Sequence, residues 1–341
     1  MNHATSNGMR VLILTTEYFP AVGGSELAIY NPTKRLPDVK FDIIKSGFGG
    51  KWLMPLTGFF RALSGKYDVI HAWQASYAGG AGWLLKLFFP HVPFIVTLQE
   101  GKNLEWQNFF IRFFRCVILR KADIITSISA YLQEFAKKMN PKARHVLLPN
   151  GVDVKLFSSD GKKKYDIVSS SRLVEKNGVD TLVRAMALLP DNIKLLLIGD
   201  GPLRNMLEGI AKSLGVMERV TFAGAVVYEK LPEYLASASV FVRPSRSEGL
   251  GIAFLDAMAA RLPIVGTPVG GIPDFLKDRE TGLFCKPDSP QSVADAVMEI
   301  LEDATLRKKL VENARRLVEE KYNWDMLAKQ YYEIISNYSR I

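Results

Sequence analysis

Cysteine is scarce: only Cys116 and Cys285 occur in 341 residues, far apart and without C-x-x-C spacing. That excludes a disulfide framework and a cysteine-based zinc site, and it leaves two buried free thiols in a reducing compartment as the simpler reading. Long apolar runs are also missing. The most apolar region, residues 69–98, is interrupted by His71, Lys86, Pro90, His91 and Pro93, short of the ~20 clean residues a membrane span needs. A secretory leader is not expected either: residues 1–10 are polar, and "VLILTT" after them is too short for an h-region, so Met9 would serve as a start as well as Met1. The location expected on this reading is the cytoplasm.

Acidic residues are short in the first half. Residues 1–150 carry 18 Lys and Arg against 9 Asp and Glu, whereas residues 151–341 carry 26 of each, so the whole net charge of +9 belongs to the first half. An anionic partner is expected there: a phosphorylated substrate, nucleic acid or an acidic membrane surface. Nucleic acid is disfavoured, because the basic residues are scattered and no nucleic-acid-binding module is recognisable.

What is present is a repeated rhythm. With 48% hydrophobic and 23% charged residues the chain is ordinary globular material, long enough for two domains. The β-branched runs "RVLILT", "YDVIHA", "PFIVTL", "ADIITS" and "RHVLLP" alternate with helix-like stretches, and the pattern restarts with "YDIVSS", "IKLLLIGDG", "RVTFAG", "SVFVRP" and "PIVGTP". Between the halves "SSDGKKKY", residues 158–165, reads as a linker. The economical fold is α/β: two tandem Rossmann-like, doubly wound parallel sheets, since right-handed crossover helices must cover both faces of each. Ligands then bind beyond the carboxyl ends of the strands, and two such edges can face one another across a cleft. The stripe Trp324, Leu327, Tyr331, Ile334 and Ile335 near the C-terminus reads as core packing at helical spacing.

Four stretches after strands carry candidate chemistry. "EYFPAVGGSELAIYN" places Gly23 and Gly24 before a helical run, where backbone N–H groups approach an anion closely, or where there is simply a turn. "SSSRLVEKNGVDTLVRAM" delivers Arg172 and Lys176, cations suited to a diphosphate or to a solvated turn. "LLLIGDGPLRNMLE" offers Gly199 and Gly201 but lacks the third glycine of a dinucleotide fingerprint, so it is poor evidence for NAD. The densest stretch, "FVRPSRSEGLGIAFLDAMAARLPIVGTPVGGIPDF", puts Glu248 in a loop, Gly249 and Gly251 at a helix start, and Asp256 just over one turn in. Two carboxylates there suit vicinal diols, and free amides between them suit a phosphate; the bland alternative is a capping Glu248 and a merely exposed Asp256.

In order and spacing, "VGGSE", "PNGVD" followed by Phe157, "SRLVEKNGVDTLVRA", "LLLIGDGP", "VTFAG" and "VFVRPSRSEGLGIAFLDAMAARLPIVGTPVGGIPDFL" together resemble the family 4 retaining glycosyltransferases of the GT-B fold. The match runs nearly end to end and is most specific over residues 167–282. The resemblance implies an acceptor-binding domain over residues 1–158, a nucleotide-sugar-binding domain over 159–322, and a C-terminal helix over 323–341 packing back toward the first domain. It implies that Arg172 and Lys176 neutralise the diphosphate, assisted by the amides of Gly24, Gly249, Leu250, Gly251 and Ile252. Glu248 would hold the hydroxyls of the transferred sugar and Asp256 the ribose, with Gly201 lining the donor site and the loop near Val226 receiving the base. Diphosphate would leave with retention, unaided by metal, since no Asp-X-Asp occurs. No other cofactor is implied.

Two departures bear on the site. The family usually has Glu where Asp256 stands, and the shorter arm weakens the ribose contact by the order of one hydrogen bond, ~1 kcal/mol. Where a histidine is common after the fourth strand, the chain reads "VTLQEG", so that the sugar or acceptor contact passes to Gln99, Glu100 or His71, with Glu17 beside them. The competing reading is a catalytically silent nucleotide-sugar-binding subunit of a membrane-associated complex. For the acceptor, "EWQNFFIRFFRCVILRK" (residues 105–121) is apolar nearly all round, with Asn108, Arg112 and Arg115 as a narrow polar wedge. Its projection favours packing against the first sheet over docking on lipid. Taken with "KWLMPLTGFFRALSGK" (residues 51–66) and the local charge, however, it leans toward a lipid-linked hydroxyl acceptor at an acidic membrane surface, with the protein peripheral on its cytoplasmic face.

Overall fold

The structure is a computed structural model describing residues 8–18, 24–47, 50–100, 109–157 and 161–337. The chain divides into two compact units: unit 1 is Met1–Asn150 with Trp324–Ile341, and unit 2 is Gly151–Asn323. Among the described residues no helix is long and apolar enough to cross a membrane.

Unit 1 contains β1 (Arg10–Thr15), α1 (Gly24–Lys34), β2 (Lys40–Lys45), α2 (Met54–Ala62), β3 (Val69–Trp73), α3 (Tyr77–Phe88), β4 (Phe94–Leu98), α4 (Phe109–Lys121), β5 (Ile124–Ser127), α5 (Ala130–Met139) and β6 (Arg144–Leu147). All strand pairs are parallel, in the order β2-β1-β3-β4-β5-β6. Right-handed crossovers put α2, α3, α4 and α5 on one face, where successive helices touch, and α1 on the other. Strands β1, β3, β4 and β5 are buried on both faces, which is why they read as continuous apolar runs. The second face is closed by α12 (Trp324–Ser336), whose Trp324, Leu327, Tyr331, Ile334 and Ile335 join Ile29 of α1 in one core.

Unit 2 contains β7 (Tyr165–Ser170), α6 (Val179–Ala185), β8 (Leu195–Ile198), α7 (Arg204–Ser213), β9 (Val220–Gly224), α8 (Leu231–Ala236), β10 (Ala238–Arg243), α9 (Ile252–Ala259), β11 (Ile264–Gly266), β12 (Leu283–Phe284), α10 (Pro290–Glu302) and α11 (Ala304–Lys321). Its parallel order is β12-β11-β10-β7-β8-β9. The chain winds outward from β7 to β9 and then crosses back to β10, so the switch point lies between β7 and β10, and the crevice beyond their carboxyl ends is the place for a ligand.

Two strands lie outside the apolar runs of the sequence. β2, "KFDIIK", is an edge strand that alternates charge with apolar residues, and β12 is two residues long. The expectation that α4 packs its aromatics inward is overturned. It buries Arg115, Ile118 and Leu119, while Phe109, Phe110, Phe113 and Phe114 are exposed; residues 105–108 of that stretch lie outside the described residues. Arg115 turns inward because Glu100, two residues past β4, pairs with it at 3.4 Å. Both cysteines are free, Cys116 half-buried and Cys285 buried, where burial pushes its thiol up to about 12.

Candidate active site

At the switch point of unit 2 the loops after β7 and β10 touch backbone to backbone. Arg246 N and Ser247 N donate to Lys176 O (2.8 and 3.3 Å). Gly178 adopts φ +64°, and a Cβ there would fall 2.0 Å from Pro244 O, so only glycine lets the loops approach this closely. The Arg246 guanidinium grips Asp180 with two bonds (2.8 and 2.7 Å) and Asp288 with a third (2.5 Å). Burial acts to raise the Asp180 pKa, but the hydrogen bonds and charge of Arg246 hold it below the usual carboxylate value. This clasp locks the loop that carries Glu248.

Glu248 is 8% exposed and surrounded by donors. One carboxylate oxygen accepts from Arg243 Nη2; the other accepts from Gly249 N at 3.0 Å and lies 3.5 Å from Lys176 Nζ. Arg243 ends β10, is 6% exposed, lies over the Phe254 ring and also donates to Asn177 Oδ1 (2.8 Å). Asn177 in turn donates to Arg172 O (2.6 Å). Lys176 and Glu248 are therefore brought together, and Arg172 stands at the start of the same loop with its side chain exposed. The Gly249 amide, expected to be free for phosphate, is taken by Glu248 itself. The amides that remain are those at the start of α9, Leu250 to Ile252, which a helix cannot satisfy internally. Gly251, at φ +95°, caps that end, where a Cβ would meet Phe254 at 2.7 Å.

Asp256 is not an exposed second acid. It is 3% exposed and accepts from the Tyr228 hydroxyl at 2.9 Å. Burial raises its pKa to about 7, with the Tyr228 bond opposing. Tyr228 follows the loop of Val226 and stacks edge-on against Phe157. Gly201 sits at the same sheet edge for a steric reason: a Cβ would lie 2.5 Å from Leu173 O.

In unit 1, Gly24 opens α1, and residues 19–23 before it lie outside the described residues. The carboxyl edge gathers Thr16, exposed Glu17, Gln74, Gln99 and Glu100. Thr16 Oγ1 donates to Gln74 Oε1 (3.1 Å), and Gln74 holds φ 114°, an uncommon value for a side-chain-bearing residue. His71 departs from the expected sugar or acceptor contacts. It is fully buried in β3, with Nδ1 bonded to Tyr331 OH (2.8 Å) and Nε2 to Thr97 Oγ1 (2.7 Å), and burial lowers its pKa to about 3. With both nitrogens occupied inside the core it is a structural residue.

Arg243, Asn177 and Tyr228 escaped the sequence reading. A cation closing an otherwise apolar strand and an Asn-Gly pair ahead of a helix were the available signals.

The family described as Glycosyl transferases group 1 matches residues 155–317, and a Glycosyl transferase 4-like domain matches residues 3–151. A GDP-mannose-dependent alpha-(1-6)-phosphatidylinositol monomannoside mannosyltransferase of Mycobacterium tuberculosis is 35% identical over 306 residues, covering 81% of this chain and 78% of that protein. Among solved structures, sucrose-phosphate synthase from Thermosynechococcus elongatus superposes with TM-score 0.85 at 22% identity, over 97% of this chain and 99% of that one. HepE of Anabaena, in complex with UDP-glucose, gives 0.84 at 19% identity, over 96% and 100%. The chain belongs to the glycosyl transferases group 1 and is a family 4 hexosyltransferase of the GT-B fold.

Proposed function

We propose that unit 2 holds a UDP- or GDP-sugar and unit 1 a hydroxyl acceptor, and that the hexose is transferred with retention and without a metal. The observation that carries this reading is the cluster at the β7/β10 switch point: Lys176 and the first amides of α9 beside a carboxylate fixed by Arg243. A nucleoside diphosphate needs cations and helix-terminal amides at its phosphates, and a sugar needs an oriented acceptor for its hydroxyls. Arg172 and Lys176 stabilise the departing diphosphate, and the acceptor oxygen attacks from the face that the diphosphate leaves. Gly24, Glu17, Gln99 and Glu100 are the unit 1 residues proposed to meet donor or acceptor, Val226 the backbone contact to the base, and Asp256 the ribose contact, reached through or past Tyr228. The GDP-mannose in the name of the mycobacterial relative and the UDP-glucose bound in the Anabaena structure support a nucleotide-sugar of one of these two bases.

The test is a thermal-shift screen of UDP, GDP and ADP with their sugars, since a ligand that binds only the native state raises its melting temperature. Transfer of labelled sugar from the best ligand is then measured. A shift with one base and transfer from its sugar is expected. Absence of any shift, or tight binding without transfer to any hydroxyl acceptor, overturns the reading.

A further inference from the structure

We infer that the outer face of the α2–α3–α4 layer of unit 1 docks on an anionic lipid bilayer and so presents the carboxyl edge of that sheet to a lipid-borne acceptor. For the acceptor this rests on the proposed glycosyl transfer; the docking itself does not.

The face is apolar beyond what a solvated surface tolerates. Trp52 is 72% exposed, Phe60 67%, Phe109 73% and Phe110 67%, with Phe113 and Phe114 exposed beside them. The four phenylalanines of α4 lie ring against ring along the surface. Soluble monomers seldom expose contiguous apolar patches of this kind without a partner. Nor is α4 a core helix that happens to be loose. Its inward side is committed, through Arg115 to Glu100 and through Ile118 and Leu119 to the layer beneath, so its aromatics are held outward.

Charge selects the occupant. Neither residues 50–66 nor residues 109–121 contain a single Asp or Glu, whereas Lys51, Arg61, Lys66, Arg112, Arg120 and Lys121 are all exposed. A second copy meeting this surface through a two-fold axis would bring these cationic stretches against their own copies, which is repulsive. Aromatics that enter the headgroup layer, ringed by cations that stay in it, match an anionic leaflet, where each Lys or Arg near the surface is attracted.

Topology then gives the docking a consequence. A crossover helix starts at the carboxyl end of the strand before it, so Phe109 and Phe110, opening α4, and Trp52, in the turn ahead of α2, stand at the carboxyl edge of the unit 1 sheet. Thr16, Gln74 and Gln99 gather at that edge. A bilayer under the aromatics brings a headgroup hydroxyl to it without lifting the lipid from the membrane.

The experiment is co-sedimentation of the full chain with phosphatidylcholine vesicles with and without phosphatidylglycerol, at rising salt. Binding is expected only with phosphatidylglycerol and should weaken as salt rises. The combined Phe109→Ser, Phe110→Ser and Phe113→Ser variant should bind about a hundredfold more weakly, with unchanged melting temperature and nucleotide affinity. Trp52→Ser with Phe60→Ser, ahead of and on α2, should act in the same direction and guards against a folding defect in the first variant. No sedimentation of the wild-type chain, or equal binding to neutral vesicles, overturns the inference. So does a dimer in light scattering that the α4 variant dissolves. Loss of vesicle binding with intact nucleotide affinity leaves the proposed transfer standing, and failure of transfer with intact vesicle binding leaves the docking standing.

Discussion

Replacing Glu248 with Ala strips the buried Arg243 guanidinium of its carboxylate. Arg243 is 6% exposed, and its remaining side-chain contacts among the described residues, the Asn177 oxygen and the Phe254 ring, are neutral, so the charge left behind is nearly dry. Removing one member of such a pair costs about 3–5 kcal/mol, a large share of the ~5–15 kcal/mol that holds a domain together. For a unit the size of Gly151–Asn323, each kcal/mol moves the midpoint by about 2–4 °C, so Glu248→Ala should melt roughly 10 °C lower in differential scanning calorimetry. Glu248→Gln retains an oxygen for Arg243 and the side-chain shape, and should lose less than half as much. Adding Arg243→Met to Glu248→Ala should restore most of the midpoint, because an apolar replacement of both partners removes the stranded charge. Transfer should be lost in all three variants, and nucleotide affinity kept in Glu248→Gln. An unchanged midpoint in Glu248→Ala, or no recovery in the double variant, would refute the claim that this pair is buried and interdependent. Wild-type turnover in Glu248→Gln would remove Glu248 from the chemistry.

Lys176→Ala should weaken nucleotide affinity by about tenfold and slow transfer as well, since it removes a cation from both bound and departing phosphate; isothermal titration with the best nucleotide separates the two effects. Gly178→Ala forces a Cβ to within 2.0 Å of Pro244 O in a left-handed backbone, and should lower both the melting midpoint and nucleotide affinity by separating the two loops. Asp256 has its folded pKa raised to about 7 by burial. The native state therefore holds an extra proton, and the stabilisation is present in full below the unfolded value near 4 and lost as pH rises through 7. Asp256→Asn should abolish that slope and raise the midpoint at pH 8. His71 works in the opposite sense: its folded pKa, lowered to about 3 by burial, means stability held above pH 6.5 and lost progressively as pH falls toward 3. Imidazole ¹⁵N shifts should show a neutral ring at pH 5, and a charged ring there would contradict the buried geometry.

The strands were legible because a parallel sheet buried on both faces demands uninterrupted β-branched runs, as in "RVLILT" and "LLLI". β2 was not, because an edge strand of alternating charge carries no such signature. Glu248, Lys176 and Asp256 stood out because glycine-marked turns after strands point to the ligand edge. Their partners stayed hidden, since the contact of Arg243 with Asn177 spans 66 residues and exists only once β10 lies beside β7. His71 and Arg115 failed in the same way from opposite sides. An imidazole on an apolar strand reads alike whether it meets solvent or a buried tyrosine, and an arginine among phenylalanines reads as the outer side of a helix until Glu100 draws it in.

The two acids of "SEGLGIAFLD" show why spacing alone does not assign roles. Glu248 is over-determined. A strand end, the neighbouring loop and its own following amide all supply donors, from Arg243, Lys176 and Gly249. Such a group cannot reorient when charge develops beside it, which is what a preorganised site requires. Asp256 has the opposite circumstance, a neutral Tyr228 hydroxyl as its donor among the described residues in a buried place, so its charge near neutrality depends on what else enters. A nucleoside hydroxyl donating to Asp256 would stabilise the ionised form and release a proton as it binds, so nucleotide affinity should rise with pH between about 5 and 7. That dependence should vanish in Asp256→Asn. Titration calorimetry in two buffers of different ionisation enthalpy counts the proton directly. Proton release by the wild type and none by the variant is the expected result, and equal release by both would place the ribose elsewhere.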